Sequence, residues 1–136
     1  MKLTRALRAT GRERGAAAVE FGLILPVLLM LVGAVIDFGN MYRQQIQLTN
    51  AARDGVRQVS VNSSTGWTQA QIQSRITTAA SPLAVNSTAT AWYCSTSGST
   101  VTVTVTPVTA YNYTVLRFIP GLPRPVLKGT ASMTCA

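Results

Sequence analysis

The sequence predicts an α+β protein. A long N-terminal transmembrane helix continues as an amphipathic helix, and a small exported domain follows, with a short helix and an antiparallel β-sheet. Three observations predict it. The run Phe21–Ile36 carries no polar side chain. Basic residues crowd ahead of that run, and no acid follows Asp54. Valine and threonine alternate through Val101–Thr106, the period of a half-buried strand.

Composition narrows the function classes. The 136 residues hold 12 Lys+Arg against 4 Asp+Glu, a formal net charge of +8, and charged residues make up 12% of the chain. That is about half the share of an ordinary soluble domain. There is no histidine, which removes the commonest general base and metal ligand together. Two cysteines without histidine partners do not build a zinc site. Metalloenzymes, Ser-His-Asp hydrolases and Cys-His proteases are excluded, and the acid-free stretch after Asp54 offers no carboxylate as acid or base. The expectation is a non-enzyme with no metal site and no cofactor.

The elements follow in order. Residues 1–15 form a basic leader, with Lys2, Arg5, Arg8, Arg12 and Arg14 against the single acid Glu13. Residues 16–36 are 21 residues with one charge, Glu20, and span about 30 Å at a rise of ~1.5 Å per residue, the thickness of a hydrocarbon core. Pro26 predicts a bend, which spanning helices tolerate. The basic side stays cytoplasmic and the chain after Ile36 is exported, with anionic membrane lipid as partner of the leader. A nucleic-acid arm fits less well, since the cluster abuts a membrane-length run and lacks interleaved aromatics. Residues 37–60 extend the helix: Leu48, Ala52, Val56 and Val59 form a narrow apolar stripe. A break at Gly39-Asn40 into a separate helix is the alternative.

Residues 61–136 make the exported α+β domain. Trp67–Ala80 predicts a short helix with Thr68 as N-cap and Pro82 as stop. Thr88–Cys94 and Val101–Thr106 flank a Ser/Gly loop and predict a hairpin, with Val101, Val103 and Val105 on one face. Val108–Val115 continues or pairs as a further strand past Pro107. Val126–Cys135 closes the sheet, with Leu127, Ala131 and Met133 facing one way and Lys128, Thr130 and Thr134 the other. Cys94 and Cys135, the only cysteines, each end a predicted strand. An even count in an oxidising compartment favours a disulfide; two separate buried thiols are the other reading. Leu116–Pro125 is apolar, turn-rich and edged by Arg117 and Arg124. Its Leu116, Arg117, Phe118 and Ile119 either fold onto the domain's own core or form a docking loop for the membrane or an assembly protein. The sequons at Asn62, Asn86 and Asn112 follow from a Ser/Thr-rich composition and carry no assigned function.

The junction Arg14-Gly15-Ala16-Ala17-Ala18-Val19-Glu20-Phe21 is the most informative stretch. A glycine admits a protease close to the backbone. Cleavage after Gly15 frees an amine at Ala16, charged at neutral pH. A carboxylate within an apolar helix end is costly unless paired. In a helix bundle, Glu20 of one subunit meets the Ala16 amine of a neighbour and sets axial register, with Phe21 beside it; otherwise Glu20 sits among headgroups. A secretory signal peptide is the competing reading of the same segment. The junction resembles the processing site of type IV prepilins, which implies prepilin peptidase as a partner.

The resemblance extends over residues 14 to 58. The RG-small-AVEF start (Arg14–Phe21), Pro26, the exit Asp37-Phe38-Gly39 and Ala51-Ala52-Arg53-Asp54-Gly55 are similar to the TadE/TadG-like family. That resemblance implies a pseudopilin of TadE or TadF type in a bacterial tight-adherence (Flp-type) pilus. It implies other pilins, pseudopilins and the pilus secretion platform as partners, and the inner membrane as location. Major Flp pilins are shorter after the helix and carry Glu-Tyr where this chain has Glu20-Phe21, which favours a minor pseudopilin. An unprocessed membrane-anchored binding module with a basic exported face is the alternative.

Overall fold

The computed structural model describes residues 6–61 and 66–135, with side chains from residue 15 onward. Lys2, Arg5 and Asn62 lie outside the described residues, as do the side chains of Arg8, Arg12, Glu13 and Arg14. The architecture is α+β. Helix α1 (Ala6–Ser60) runs 55 residues, about 80 Å at ~1.5 Å per residue. It is unbroken through Pro26 and Gly39-Asn40, so the extension over 37–60 is the same helix and not a second one. Helix α2 is Gln69–Ala80, and strands β1 (Val85–Ala89), β2 (Thr100–Pro107) and β3 (Gly129–Thr134) form an antiparallel sheet in the order β1-β2-β3.

Local chemistry sets the element ends. Thr68 caps α2: its hydroxyl accepts from the Gln71 N–H at 3.4 Å, and the Gln71 side chain accepts from the Thr68 N–H at 2.8 Å. Two orphan donors of the first turn are thereby satisfied. The helix ends at Ala80, before Pro82. Alternation in β2 buries Val101, Val103 and Val105 and leaves the intervening threonines half-buried.

The core is built on the C-terminal half of α1. Leu48, Ala52, Val56 and Val59 are buried as the stripe predicts, and Ala51 joins them. They pack with Ile72, Ile76 and Ala80 of α2, the three β2 valines, Tyr111 and Leu127. Two glycines permit this closeness. A Cβ on Gly55 would meet Ile76 at 2.6 Å and Val103 at 3.4 Å. One on Gly129 would strike the backbone of Leu48, so β3 lies directly on α1. The Gln45 side-chain amide donates to the Lys128 carbonyl at 2.7 Å beside that contact.

Three strand expectations need correction. The first strand is Val85–Ala89 rather than Thr88–Cys94. The ladder is only half-made at the next residue: the Thr90 N–H donates to the Thr102 carbonyl at 3.0 Å, but the Thr102 N–H donates to the Thr90 hydroxyl at 3.0 Å, so a side chain takes the donor that a continuing strand would use. Val108–Val115 is not a strand. The Val108 N–H still donates to the Ala84 carbonyl at 2.9 Å, but the Tyr111 hydroxyl and the N–H groups of Thr114 and Val115 go to α1, as described below. The closing strand is Gly129–Thr134, shorter at both ends than Val126–Cys135; Ala131 and Met133 share the inner face as expected, paired with the buried Val103 and Val101, and the Met133 sulfur accepts from the Ser60 hydroxyl at 3.1 Å.

Candidate functional site

The sheet and α2 embrace only half of α1. The other half stands bare: Val19, Phe21, Leu23, Ile24, Val27, Leu28 and their neighbours are exposed. Among the described residues this is the one helix long and apolar enough to cross a membrane, with a mean hydropathy of 2.5 over its most apolar window. Gly15, Ala16, Glu20 and Phe21 all lie on its exposed N-terminal turns. Ala16 and Glu20 are four residues apart and so share a face.

The boundary between the bare and embraced halves is Asp37, 1% exposed. Its two carboxylate oxygens accept from the backbone N–H groups of Thr114 (2.7 Å), Val115 (3.2 and 3.0 Å) and Leu116 (2.7 Å). One carboxylate thus satisfies the donors of three successive residues, a nest for an anion. The Tyr111 hydroxyl donates to the Asp37 carbonyl at 2.8 Å, and Tyr111 meets Tyr113 edge-on, ring centroids 5.6 Å apart. Desolvation by itself would raise the Asp37 pKa. The backbone donors of Leu116, Thr114 and Val115 outweigh it and hold the group below the ordinary aspartate value. Burial, then the charge of Asp37, push the Tyr111 phenol up. Val115 packs against Gly33, where any Cβ would collide with it.

The sequence alone does not reveal this latch. Asp37 opens the acid-aromatic-Gly exit, but its role depends on residues 77 to 79 positions away. A usable signal did exist: a lone acid closing an apolar run needs donors from somewhere.

The docking-loop residues part company. Leu116–Phe118 form a 3₁₀ turn whose start is held by Asp37. Leu116 is half-buried, while Arg117, Phe118 and Ile119 face outward. The Tyr113 hydroxyl donates to the Pro123 carbonyl at 2.9 Å and closes the loop. Cys94 and Cys135 are disulfide-bonded. The Cys135 N–H donates to the Ser99 carbonyl at 2.8 Å, and the Gly98 N–H, in a turn with φ +80°, donates to the Cys135 carbonyl at 3.0 Å. The bridge therefore ties the segment after β1 to the end of β3. Among the described residues no cluster of His, Cys, Asp or Glu could hold a metal ion.

These features define a class: a small disulfide-bonded α+β domain carried on the C-terminal half of a helix whose N-terminal half has the length and apolarity of a single membrane span. Residues 15–57 match the family model described as TadE-like protein, the family that the sequence resembles. The match covers the bare half, the Asp37 boundary and most of the embraced half, and points to a Tad pilus-associated component. Neither the curated proteins nor the solved structures contain a match.

Proposed function

We propose that this chain is a minor pseudopilin or assembly component of a tight-adherence (Flp-type IVb) pilus. Prepilin peptidase cleaves it after Gly15, and it then packs through its N-terminal helix with other pilins and pseudopilins on the secretion platform. The observation that carries the reading is the division of α1: one half spent on the domain core, the other bare and apolar, with Ala16 and Glu20 on one face near its start. The chain acts by binding and not by turnover.

The steps are physical. The helix runs through Gly15–Ala16, so cleavage needs local unwinding, which glycine makes easier by about 1 kcal/mol relative to alanine. The freed Ala16 amine is cationic at neutral pH. Burying Glu20 between helices is costly alone and tolerable beside that amine on a neighbour, so the pair selects one axial register among sliding apolar rods. The domain, latched at Asp37, projects in a set direction from the assembly. The basic N-terminus stays cytoplasmic, at the inner membrane, and the domain lies on the far side.

The test is the mass of the mature chain in its native host. Removal of residues 1–15, blocked by Gly15→Val, supports the reading. A chain that still begins at Met1 contradicts it and favours the unprocessed membrane-anchored module with its basic, acid-free domain.

A further inference from the structure

Two clefts meet at the Asp37 latch. The first, about 490 Å³, runs along the bare helix and is almost wholly apolar, lined by Leu31, Ala34, Val35, Phe38, Met41 and Leu116. Asp37 also borders it, but its carboxylate oxygens are taken by backbone N–H groups. The second, about 580 Å³, is more polar and is flanked by Arg117 and Arg124 with Asn112 and Gly121. Tyr113 and Leu116 line both. Beside them Phe118 is 84% exposed, the Arg117 guanidinium 6.0 Å from its ring.

Depth identifies the occupant. Val115 rests on Gly33, three residues before the apolar run ends at Ile36, about one helical turn inside it. A domain loop therefore reaches the level of the bilayer interface when α1 spans. An apolar slot along the helix, sharing Tyr113 and Leu116 with a cation-flanked slot beside it, offers the two surfaces a phospholipid presents: acyl chain and phosphate. The one acid beside the clefts, Asp37, is covered by the Thr114, Val115 and Leu116 amides, no acid follows Asp54, and planar guanidinium groups suit phosphate oxygens.

We infer that residues 112–124 form a membrane-seated lip that holds one anionic phospholipid of the leaflet on the domain side. An acyl chain lies in the slot beside Leu31, Ala34 and Val35, the phosphate lies between Arg117 and Arg124, and Phe118 is wedged among neighbouring chains. The lip rests on the reading of α1 as a membrane span and is independent of processing. It fixes the height of the domain above the bilayer before assembly.

The full chain, reconstituted into phosphatidylglycerol or phosphatidylcholine bilayers carrying brominated lipid, tests this. Phe118→Trp adds a fluorophore at the lip, and Leu29→Trp adds one in the bare half as a reference for the span. Bromines near the glycerol end should remove most of the emission that Phe118→Trp adds, more strongly in phosphatidylglycerol. Replacing Arg117→Gln and Arg124→Gln together should erase the difference between the two lipids while the disulfide still forms. Quenching at Leu29→Trp by bromines near the bilayer centre, with none at Phe118→Trp, overturns the lip and leaves the span. Quenching at neither overturns both. Loss of the phosphatidylglycerol preference on adding free inorganic phosphate overturns a lipid site in favour of a soluble-anion site. Shielding of Phe118→Trp by a pilus protein instead of lipid overturns it equally.

Discussion

The two halves of α1 are one continuous helix with opposite fates. From Leu48 onward every third or fourth side chain is buried against α2 and the sheet; before Gly33 nearly every side chain is exposed. The backbone is the same, so the difference is one of side-chain pattern. The later half carries a narrow apolar stripe with Arg53 and Arg57 turned away, which suits one packed face and one wet face. The earlier half is apolar all round, which suits lipid or a bundle of like helices. The lesson is that one helix serves two solvents, and Asp37 marks the crossing.

The contrast can be broken at known points. The largest effect is expected at Gly129→Val, where a side chain must force β3 off the Leu48 backbone. Overpacking of this kind costs about 3 kcal/mol or more. Loss of cooperative unfolding of the domain, with membrane insertion intact, would show that the halves fold separately. Next comes Cys94→Ser with Cys135→Ser. Opening a bridge across a separation of 41 residues should cost roughly 2–4 kcal/mol, read from urea titration of the full chain in micelles.

Asp37 gives a smaller effect with a definite sign. Its folded pKa is lowered, so its stabilising effect is complete above the unfolded value, near pH 4, and is lost as pH falls through the folded value. Asp37→Asn should flatten that part of the pH dependence and speed amide exchange at Thr114, Val115 and Leu116. Unchanged exchange at those three amides would remove the latch from the account. The smallest effect is expected from Ile24→Ala or Leu28→Ala, exposed in the bare half. Domain stability should move by no more than about 0.5 kcal/mol, while partner binding in the membrane falls.

How much was legible follows from the range of the interactions. The stripe Leu48, Ala52, Val56, Val59 and the alternating β2 valines were readable because each pattern repeats within one element. Thr68 and Gln71 were readable as a cap because the box is local. The bounds of the first strand are not legible locally, because its end is set by Thr90 reaching across to Thr102. Val108–Val115 has strand-like composition, yet the Asp37 carboxylate and carbonyl claim the Thr114 and Val115 amides and the Tyr111 hydroxyl from across the chain. Of the candidate site, the junction at Gly15 and Glu20 was visible as a motif. The latch and the paired clefts were not, because they join residues far apart in sequence.

The central claim is that the bare half of α1 docks on its neighbours with Glu20 held by a freed Ala16 amine. Co-purification of pilin subunits with the Glu20→Gln chain from native membranes tests it most directly. The account predicts that the variant is still trimmed and folded but no longer brings pilin subunits with it. Recovery of those subunits at the wild-type level would contradict it.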